Sequence, residues 1–193
     1  MKIVFASHNP NKIKEIKLLL PPSIELLSLA DIGCTQDIAE TADTIEGNAQ
    51  IKATYIKDHY GFDCFADDTG LEVDALDGAP GVYSARYAGP QKIDAENIQK
   101  LLRKLAGNSH RSAQFKTVIA LSNYKGTHLF TGICKGIILK EPKGKDGFGY
   151  DPIFQPIGYP QSFAEMPTSL KNQISHRKKA LEKLIVYLQA QKK

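Results

Sequence analysis

One ten-residue stretch, Phe65-Ala66-Asp67-Asp68-Thr69-Gly70-Leu71-Glu72-Val73-Asp74, constrains the chain more than any other. It starts at the end of an apolar run and finishes as a short alternating segment, so we expect a strand to deliver Asp67 and Asp68 at its end. Two adjacent carboxylates repel unless a proton or a metal separates them, so the pair favours a divalent cation. The composition equally suits a polar turn between two strands, and both interpretations stay open on this stretch alone.

Length and composition indicate a globular protein with a proper core. The chain has 193 residues, of which 42% are hydrophobic and 24% charged, and such a chain can form one domain. No repeat or linker divides it, so we expect a single domain over residues 1–193, with a hairpin lobe at about residues 85–140. The net charge of +4 favours an anionic ligand slightly. Because Lys and Arg are spread along the chain, we expect no nucleic-acid partner.

The location of the protein is predicted from what the sequence lacks. No apolar run approaches the roughly 20 residues of a membrane span. The apolar run at the N-terminus is too short to be the hydrophobic part of a signal peptide. Cys34, Cys64 and Cys134 are far apart and have no metal-ligand spacing. We therefore expect a soluble cytoplasmic protein with reduced thiols and no membrane partner.

A strand that feeds a helix lies at the N-terminus. Ile3-Val4-Phe5-Ala6 is typical of a strand buried on both faces, and a helix is predicted to follow, with Asn9 as N-cap and Pro10 in its first turn. Free N–H groups at a helix N-terminus, together with Lys12, favour a phosphate group. An ordinary strand-to-helix turn with a good cap is the alternative.

The next helix is predicted from a capping box. Residues 37–42 form a polar loop that holds Glu40, and Asp43 is expected to cap a helix with Glu46 three residues on. This helix should run to about Asp58, with Asn48 and Lys52 on one side of it.

The remaining periodicities predict a mixed α/β fold. Strands are expected at 24–29, 62–66, 113–121 and 127–139, an exposed strand or hairpin partner at 71–75, and helices at 94–105 and from Ser175 to the C-terminus. The strands at 113–121 and 127–139 should form a hairpin, which makes the sheet mixed and not purely parallel.

Two further segments carry candidate site residues. Phe148-Gly149-Tyr150-Asp151-Pro152 places aromatic rings beside a carboxylate, as expected around a nucleobase, although a packed aromatic loop is the alternative. The preceding glycine- and lysine-rich loop lacks the Walker order, which argues against a P-loop kinase or ATPase. Ser175-His176-Arg177 opens the last helix, with Lys171 nearby.

Four separated elements, taken together, resemble one family. They are residues 7–12, the segment from Asp67 through Gly78-Ala79-Pro80-Gly81 to Tyr87, residues 148–152 and residues 175–177. In this order they are similar to the inosine triphosphate pyrophosphatases that act on non-standard purine nucleotides, and the match covers essentially the whole chain. The resemblance implies a homodimer and an elongated two-lobed fold, with a mixed central sheet flanked by helices and an active-site cleft between the lobes.

The same resemblance implies an activity. It is the Mg²⁺-dependent hydrolysis of inosine, deoxyinosine and xanthosine triphosphates to the monophosphate and pyrophosphate. Asp68 would be the catalytic base for the attacking water, and Glu40 and Asp68 would hold Mg²⁺. The implied substrate-binding residues are Ser7, His8, Asn9, Pro10, Asn11, Lys12, Thr69, Phe148, Gly149, Tyr150, Asp151, Lys171, His176 and Arg177. Glu15 is an additional acidic candidate.

The chain departs from the family pattern at two positions. His8 stands where the family often has glycine, so the close approach of the backbone to phosphate is in question there. Gly47 replaces a common glutamate, and a glycine inside a helix costs about 1 kcal/mol relative to alanine. Two other functions remain open: a pyrophosphatase for modified pyrimidine or methylated nucleotides, and a nucleotide- or nucleic-acid-binding module without catalysis.

Overall fold

The computed structural model describes residues 1–191. Seven strands are found in this range: β1 (Lys2–Phe5), β2 (Glu25–Leu27), β3 (Cys64–Val73), β4 (Pro80–Gly81), β5 (Ser112–Asn123), β6 (Gly126–Ile138) and β7 (Phe154–Pro156). The α-helices of the same range are α1 (Pro10–Leu19), α2 (Ile45–Tyr60), α3 (Asp94–Lys104), α4 (Thr168–Ile174) and α5 (His176–Ala190).

All seven strands belong to one mixed sheet. Its order is β2-β1-β3-β5-β6-β7, and β4 pairs with β3 away from this path. β1 runs parallel to both β2 and β3, whereas the β3–β4 and β6–β7 pairs are antiparallel. The predicted α/β class and mixed sheet are therefore confirmed.

The chain divides into two compact units, and the first contains Met1–Asp68, Thr117–Gly132 and the chain from Arg177 onward. Its core combines strand residues with one face of α1 and of α5. The buried members are Ile3, Phe5, Ile16, Ile24, Phe65, Ile119, Leu121, Ala180, Leu181, Leu184 and Leu188. The α5 members Leu181, Leu184 and Leu188 lie three or four residues apart, which is the apolar period that predicted this helix from the sequence.

The second unit contains Thr69–Lys116 and Ile133–His176. Its buried core is rich in aromatic residues and draws on β5, β6, β7 and α3. The members are Leu71, Val73, Ile98, Leu101, Leu105, Ala113, Phe115, Cys134, Ile138, Tyr150, Ile153, Phe154, Phe163 and Met166.

The cysteines, the lengths of the helices and the domain organisation were also predicted from the sequence. Cys34, Cys64 and Cys134 are buried, and none of them forms a disulfide. No helix within residues 1–191 has both the length and the apolar composition needed to cross a membrane. The single-domain organisation, the hairpin lobe at about residues 85–140, the elongated two-lobed shape and the cleft stay predictions.

The structure corrects the interpretation of the central stretch. β3 does not end before the two aspartates but continues through them to Val73, so Asp67 and Asp68 lie within a strand and not in a turn. The segment predicted as an exposed strand at 71–75 is the end of this same strand, with Leu71 and Val73 fully buried. Carboxylates inside a buried strand need partners from elsewhere in the chain, which local sequence does not reveal.

Two helix predictions also need correction. The N-cap of α2 is Thr44, whose hydroxyl accepts a hydrogen bond from the Gly47 N–H at 3.0 Å, and not Asp43. The short helix α4, which carries Lys171, was not predicted. Seven residues give too few turns for an apolar period to stand out.

Candidate functional site

The N-terminus of α1 is built as the sequence predicted. Asn9 caps the helix, because its Oδ1 accepts hydrogen bonds from the N–H groups of Asn11 and Lys12 at 3.0 and 3.3 Å. The Ser7 hydroxyl accepts a hydrogen bond from the Asn9 N–H at 3.2 Å. Pro10 occupies the first turn, where its missing N–H costs nothing. The cap fixes the start of α1, where the positive end of the helix dipole favours an anion.

Lys12 does not point into solvent but towards β3. Its Nζ lies 3.0 Å from Asp67 Oδ1. Asp67 Oδ2 lies 3.2 Å from Arg177 Nε, and Arg177 Nη1 also contacts Glu15 Oε2. Asp67 and Arg177 are both almost completely buried. Asp67 therefore joins α1 and α5 through a chain of buried ion pairs, a role that the sequence did not suggest.

Asp68 faces a different partner, since successive side chains of a strand point to opposite sides. Its Oδ1 lies 3.9 Å from Lys52 Nζ, on α2. The same ammonium group donates to Glu40 Oε1 at 2.5 Å and to the Asp67 carbonyl at 2.8 Å. The structure thus brings Glu40 and Asp68, the two predicted metal ligands, to one lysine.

These side chains form what we call the carboxylate cluster: Lys12, Glu15, Glu40, Lys52, Asp67, Asp68 and Arg177. It lies within the first unit. Four carboxylates face three cations, which leaves one negative charge in excess when all seven groups are ionised. A polyphosphate would be repelled from such a group unless a further cation is present.

The two aspartates have opposite pKa shifts. Burial by itself would raise the pKa of Asp67, but attraction to Lys12 and Arg177 outweighs it and holds that pKa well below its usual range. Burial raises the pKa of Asp68, and the nearby Lys52 opposes this only in part. Asp67 is therefore ionised at neutral pH, whereas Asp68 is the carboxylate of the pair that binds a proton more readily.

The donor set at Glu40 and Asp68 fits Mg²⁺. Mg²⁺ prefers carboxylate oxygens and is commonly bound by one or two carboxylates together with waters and substrate phosphates. Asp68 Oδ2 is buried and has no hydrogen-bond partner within residues 1–191, so this oxygen is available to a ligand. In the same range no group of three or more His, Cys, Asp or Glu side chains is placed to hold a metal. A site of two carboxylates completed by phosphate oxygens agrees with both observations.

The remaining predicted phosphate residues are exposed. His8 Nε2 lies 3.3 Å from the Gln36 carbonyl and 3.9 Å from Asp37 Oδ1. His8 thereby connects the start of α1 with the loop that leads to Glu40. Asn11 and Pro10 lie at the surface of the first helical turn.

A second group of predicted residues surrounds Lys171. The Lys171 ammonium lies 2.7 Å from Asp151 Oδ2, and both side chains are buried. The same nitrogen lies over the rings of Phe148 and Phe163, 4.9 and 5.7 Å from their centroids. Asp151 Oδ2 also accepts a hydrogen bond from the Phe148 N–H at 2.9 Å. This ion pair is therefore enclosed by aromatic rings and fixes the loop before it.

Gly147 permits this enclosure. A Cβ atom at this position would lie 2.2 Å from Asp151 Oδ2, and the residue has a φ of +80°. Both the space and the backbone conformation favour glycine. The glycine-rich composition of this loop therefore has a packing reason and is not a Walker-type phosphate loop.

His176 completes the second group by stacking. Its ring lies 4.6 Å from that of Phe115 with an interplanar angle of 18°, and only 4% of the residue is exposed. We call Phe115, Phe148, Asp151, Phe163, Lys171 and His176 the aromatic cluster. All six residues lie within the second unit.

The other predicted residues of the second unit take supporting positions. The Tyr150 hydroxyl donates to the Ser84 carbonyl at 2.9 Å, and the ring is buried. The Gly149 N–H donates to Asp94 Oδ2 at 2.7 Å, which ties the loop to the start of α3. Thr69 lies half-buried in β3.

Sequence reasoning missed two members of the carboxylate cluster. Asp67 was considered only as part of an acidic pair, and Lys52 only as a neighbour of Asn48. A signal for Lys52 existed, because a lysine on the inner side of an amphipathic helix needs a buried anion. For Asp67 no local signal existed, since its partners are 55 and 110 residues away.

Known proteins are similar to this chain over nearly its whole length. A model of the Ham1 family matches residues 3–187. The dITP/XTP pyrophosphatase of Christiangramia forsetii is 62% identical over 188 residues, covering 97% of this chain and 99% of that protein. The dITP/XTP pyrophosphatase of Flavobacterium johnsoniae is 59% identical over 192 residues and covers all of both chains. The resemblance drawn from four sequence elements is therefore confirmed.

Solved structures lead to the same family. The Staphylococcus aureus Ham1 protein superposes with a TM-score of 0.92 at 40% identity, covering 99% of this chain and 100% of that one. A Ham1 protein from Coxiella burnetii gives 0.91 at 43% identity, covering 98% and 99%. With sequence and fold in agreement over nearly the whole length, the chain belongs to the Ham1 family.

Proposed function

We propose that this chain hydrolyses dITP, XTP and ITP to the nucleoside monophosphate and pyrophosphate, with Mg²⁺. The observation that carries the proposal is the carboxylate cluster, in which Asp68 and Glu40 share one lysine beside a capped helix N-terminus. Relatives with about 60% identity are named dITP/XTP pyrophosphatases. The activity removes non-standard purine nucleotides from the nucleotide pool.

The first unit would bind the triphosphate. Ser7 and Asn9 offer a hydroxyl and a side-chain amide as donors at the start of α1. Lys12, Lys52 and Arg177 supply fixed positive charge, and Glu40 and Asp68 would hold Mg²⁺. When bound, Mg²⁺ neutralises charge on phosphate oxygens and makes the phosphorus more electrophilic.

Asp68 is the proposed base for the reaction. Burial raises the pKa of Asp68, which makes this carboxylate a better proton acceptor near neutral pH. Asp68 accepts a proton from the water that attacks the α-phosphorus, and pyrophosphate leaves as its charge is compensated by Lys12 and Arg177. Asp67 keeps these two cations in position and does not itself react.

The second unit would recognise the base. Phe148, the half-buried ring of the aromatic cluster, offers a flat apolar face beside the buried Asp151–Lys171 ion pair, a combination expected around a neutral heterocycle. Hypoxanthine and xanthine carry a 6-keto oxygen, whereas adenine carries a 6-amino group. A donor from His176 or a backbone N–H satisfies the keto oxygen but is left unpaired by adenine, and rejection of this kind reaches roughly 10⁴-fold.

The test of this function is a turnover assay with purified protein. The substrates are dITP, ITP, XTP, dATP and ATP, each with Mg²⁺ or with EDTA, and pyrophosphate and free phosphate are measured separately. We expect Mg²⁺-dependent pyrophosphate from the first three and almost none from dATP and ATP. Asp68→Asn tests the base. Asp63→Asn is its control, because Asp63 pairs with Lys57 at the surface, 2.8 Å away.

The assay also decides between the alternatives. Turnover of modified pyrimidine or methylated nucleotides in preference to dITP would favour a related pyrophosphatase. Nucleotide binding that survives EDTA, without turnover, would favour a binding module. Release of free phosphate would contradict attack at the α-phosphorus.

We also propose that the protein is a homodimer and acts without a nucleic-acid partner. Light scattering on the purified chain would give twice the monomer mass of 21.3 kDa. A monomer that retains full activity would contradict the dimer.

A further inference from the structure

Asn48, in the first turn of α2, holds the loop that contains Glu40. Its side chain is completely buried, and its Oδ1 accepts a hydrogen bond from the Ala42 N–H at 2.9 Å. Residues 37–43 run to α2 outside any helix or strand of the described chain. A loop of this kind relies on side-chain contacts for its conformation.

Gly47 allows the loop to lie against the same turn. A Cβ atom at position 47 would come 2.6 Å from the Ala42 Cβ and 3.0 Å from Thr44 Oγ1. No real Cβ is found so close to another carbon, so any side chain at 47 would push Ala42 away. The glycine that weakens the helix therefore has a tertiary reason.

Glu40 lies two residues before the fixed Ala42 and is held at its other end by Lys52. Lys52 follows Asn48 by four residues, so both side chains lie on one side of α2. Asn48 holds the loop backbone, and Lys52 donates to Glu40 Oε1 at 2.5 Å. Two consecutive turns of one helix thus define where the Glu40 carboxylate lies.

We propose that Asn48 is a positioning residue for divalent-cation binding, acting through the Ala42 backbone on Glu40. The inference rests on the proposed function only in taking Glu40 and Asp68 as the metal ligands. Groups behind the direct ligands typically change metal affinity 10- to 100-fold when they are replaced. Asn48 Nδ2 is buried and has no hydrogen-bond partner in the described part of the chain. The Asn48 side chain therefore acts through its Oδ1, which accepts the hydrogen bond from the Ala42 N–H.

The second unit offers a matched control. Asn97 is also a buried helical asparagine, and its Oδ1 accepts a hydrogen bond from a loop N–H, that of Ala88, at 2.6 Å. Its Nδ2 in turn donates to the Ala85 carbonyl at 3.0 Å. Asn97→Leu removes the same kind of bond as Asn48→Leu, but from a loop without a metal ligand.

The experiment measures Mn²⁺ binding to the nucleotide-free protein by the loss of the free-ion EPR signal. Asn48→Leu should weaken Mn²⁺ binding about tenfold or more, and Asn97→Leu should leave it unchanged. Hydrogen exchange of the Ala42 amide should become at least about tenfold faster in Asn48→Leu, because its acceptor is gone. The dITP turnover of Asn48→Leu should require correspondingly more Mg²⁺.

A second pair of variants tests the same point without removing the asparagine. Gly47→Ala improves the helix propensity of α2, so a weaker Mn²⁺ affinity in this variant comes from the displaced loop and not from a damaged helix. Ala42→Gly combined with Gly47→Ala removes the clash between the two methyl groups and should restore the affinity to within about threefold. This pair decides the question even when Asn48→Leu does not fold.

The outcomes separate the two proposals. Unchanged Mn²⁺ affinity in both Asn48→Leu and Gly47→Ala would overturn the positioning role, as would an equal loss in Asn97→Leu. Wild-type protein that binds no Mn²⁺, either alone or saturated with the monophosphate product, would overturn the metal assignment itself and, with it, the role of Asn48 in metal binding. The exchange rate of the Ala42 amide would then still decide whether Asn48 holds the loop.

Discussion

The carboxylate cluster and the aromatic cluster handle buried charge in different ways. The carboxylate cluster spreads charge over seven side chains, and its carboxylates outnumber its cations by one. In the second unit the Asp151–Lys171 ion pair is enclosed by the rings of Phe148 and Phe163. An excess of negative charge calls for a metal before a polyphosphate can bind, whereas a neutral apolar enclosure suits a nucleobase. The carboxylate cluster therefore carries a net negative charge, whereas the Asp151–Lys171 pair of the aromatic cluster is neutral as a whole.

The largest expected effect is the loss of dITP turnover in a variant of the carboxylate cluster. Asp68→Asn removes both the proposed base and one of two metal ligands, so kcat for dITP should fall about 10⁴-fold. The production of pyrophosphate measures it, with Asp63→Asn as the control. A fall of less than tenfold would contradict the assignment of Asp68.

The second prediction concerns stability and compares the two aspartates of β3. Asp67→Asn should lower the free energy of unfolding by about 4 kcal/mol, because it leaves Lys12 and Arg177 buried with less opposing charge. Asp68→Asn should not destabilise the metal-free protein at pH 7, because burial already disfavours the ionised form of Asp68. Urea unfolding in EDTA measures both. Equal losses would mean that the two carboxylates are not differently paired.

The same pair predicts opposite pH dependences. The folded-state pKa of Asp67 is lowered, so its contribution to stability is present above the unfolded value of about 3.9 and is lost as the pH falls further. The folded-state pKa of Asp68 is raised, so its ionisation costs stability at higher pH, and this cost disappears as the pH falls through that pKa. Asp67→Asn should therefore lose less stability than wild type below about pH 4.

The third prediction concerns the Asp151–Lys171 ion pair of the aromatic cluster. Lys171→Met should lower the free energy of unfolding by about 3 kcal/mol, since Asp151 is left buried without its cation. The double variant with Asp151→Asn should recover part of this loss. Lys57→Met provides the surface comparison, because the Lys57–Asp63 pair is partly exposed and should contribute less than about 1 kcal/mol. A similar cost for both lysines would contradict the special position of Lys171.

The fourth prediction concerns selectivity in the second unit. His176→Ala should narrow the ratio of ITP to ATP turnover by about 10- to 100-fold, because an unpaired donor no longer penalises adenine. The comparison of kcat/KM for the two substrates measures it. Phe115→Leu is a suitable control, since it removes the ring stacked on His176 but keeps the imidazole. An unchanged ratio in His176→Ala would exclude His176 from base selection.

The smallest predicted effect is at the helix N-terminus of the first unit. Asn9→Ala removes the acceptor of two N–H groups and should cost about 1 kcal/mol of unfolding free energy. Asn11→Ala, two residues further along the chain, keeps those N–H groups and their acceptor and should therefore cost less unfolding free energy. Thermal unfolding of the two variants compares them, and a larger loss in Asn11→Ala would contradict the cap.

Elements with strong local signals were predictable from sequence. The strand–Asn9–helix junction and the amphipathic helix that begins at Asp94 were found where expected. Their caps, prolines and apolar periods act between residues close in sequence, so no tertiary information was needed. The Thr44 cap was missed by one residue, because Asp43 and Thr44 are equally suitable as caps and only the loop path selects one.

The residues of the candidate site could be proposed from motifs, but the contacts between them could not be predicted. Glu40, Asp68, Lys171 and His176 were named from motifs, whereas the structure was needed to show that Lys52 joins the first two. Asp67 was treated as half of a metal-binding pair. Its burial in β3 depends on Lys12 and Arg177, which no local pattern connects to it.

The sequence by itself determined the fold class, the family and most candidate residues, because apolar periods, caps and ordered motifs are local or additive signals. Only the tertiary structure decided that β3 runs through Asp67 and Asp68, and that Gly47 is needed beside Ala42. The physical reason is the same in both cases. Whether a buried charge or a missing side chain is tolerated depends on atoms that the fold brings in from distant parts of the chain.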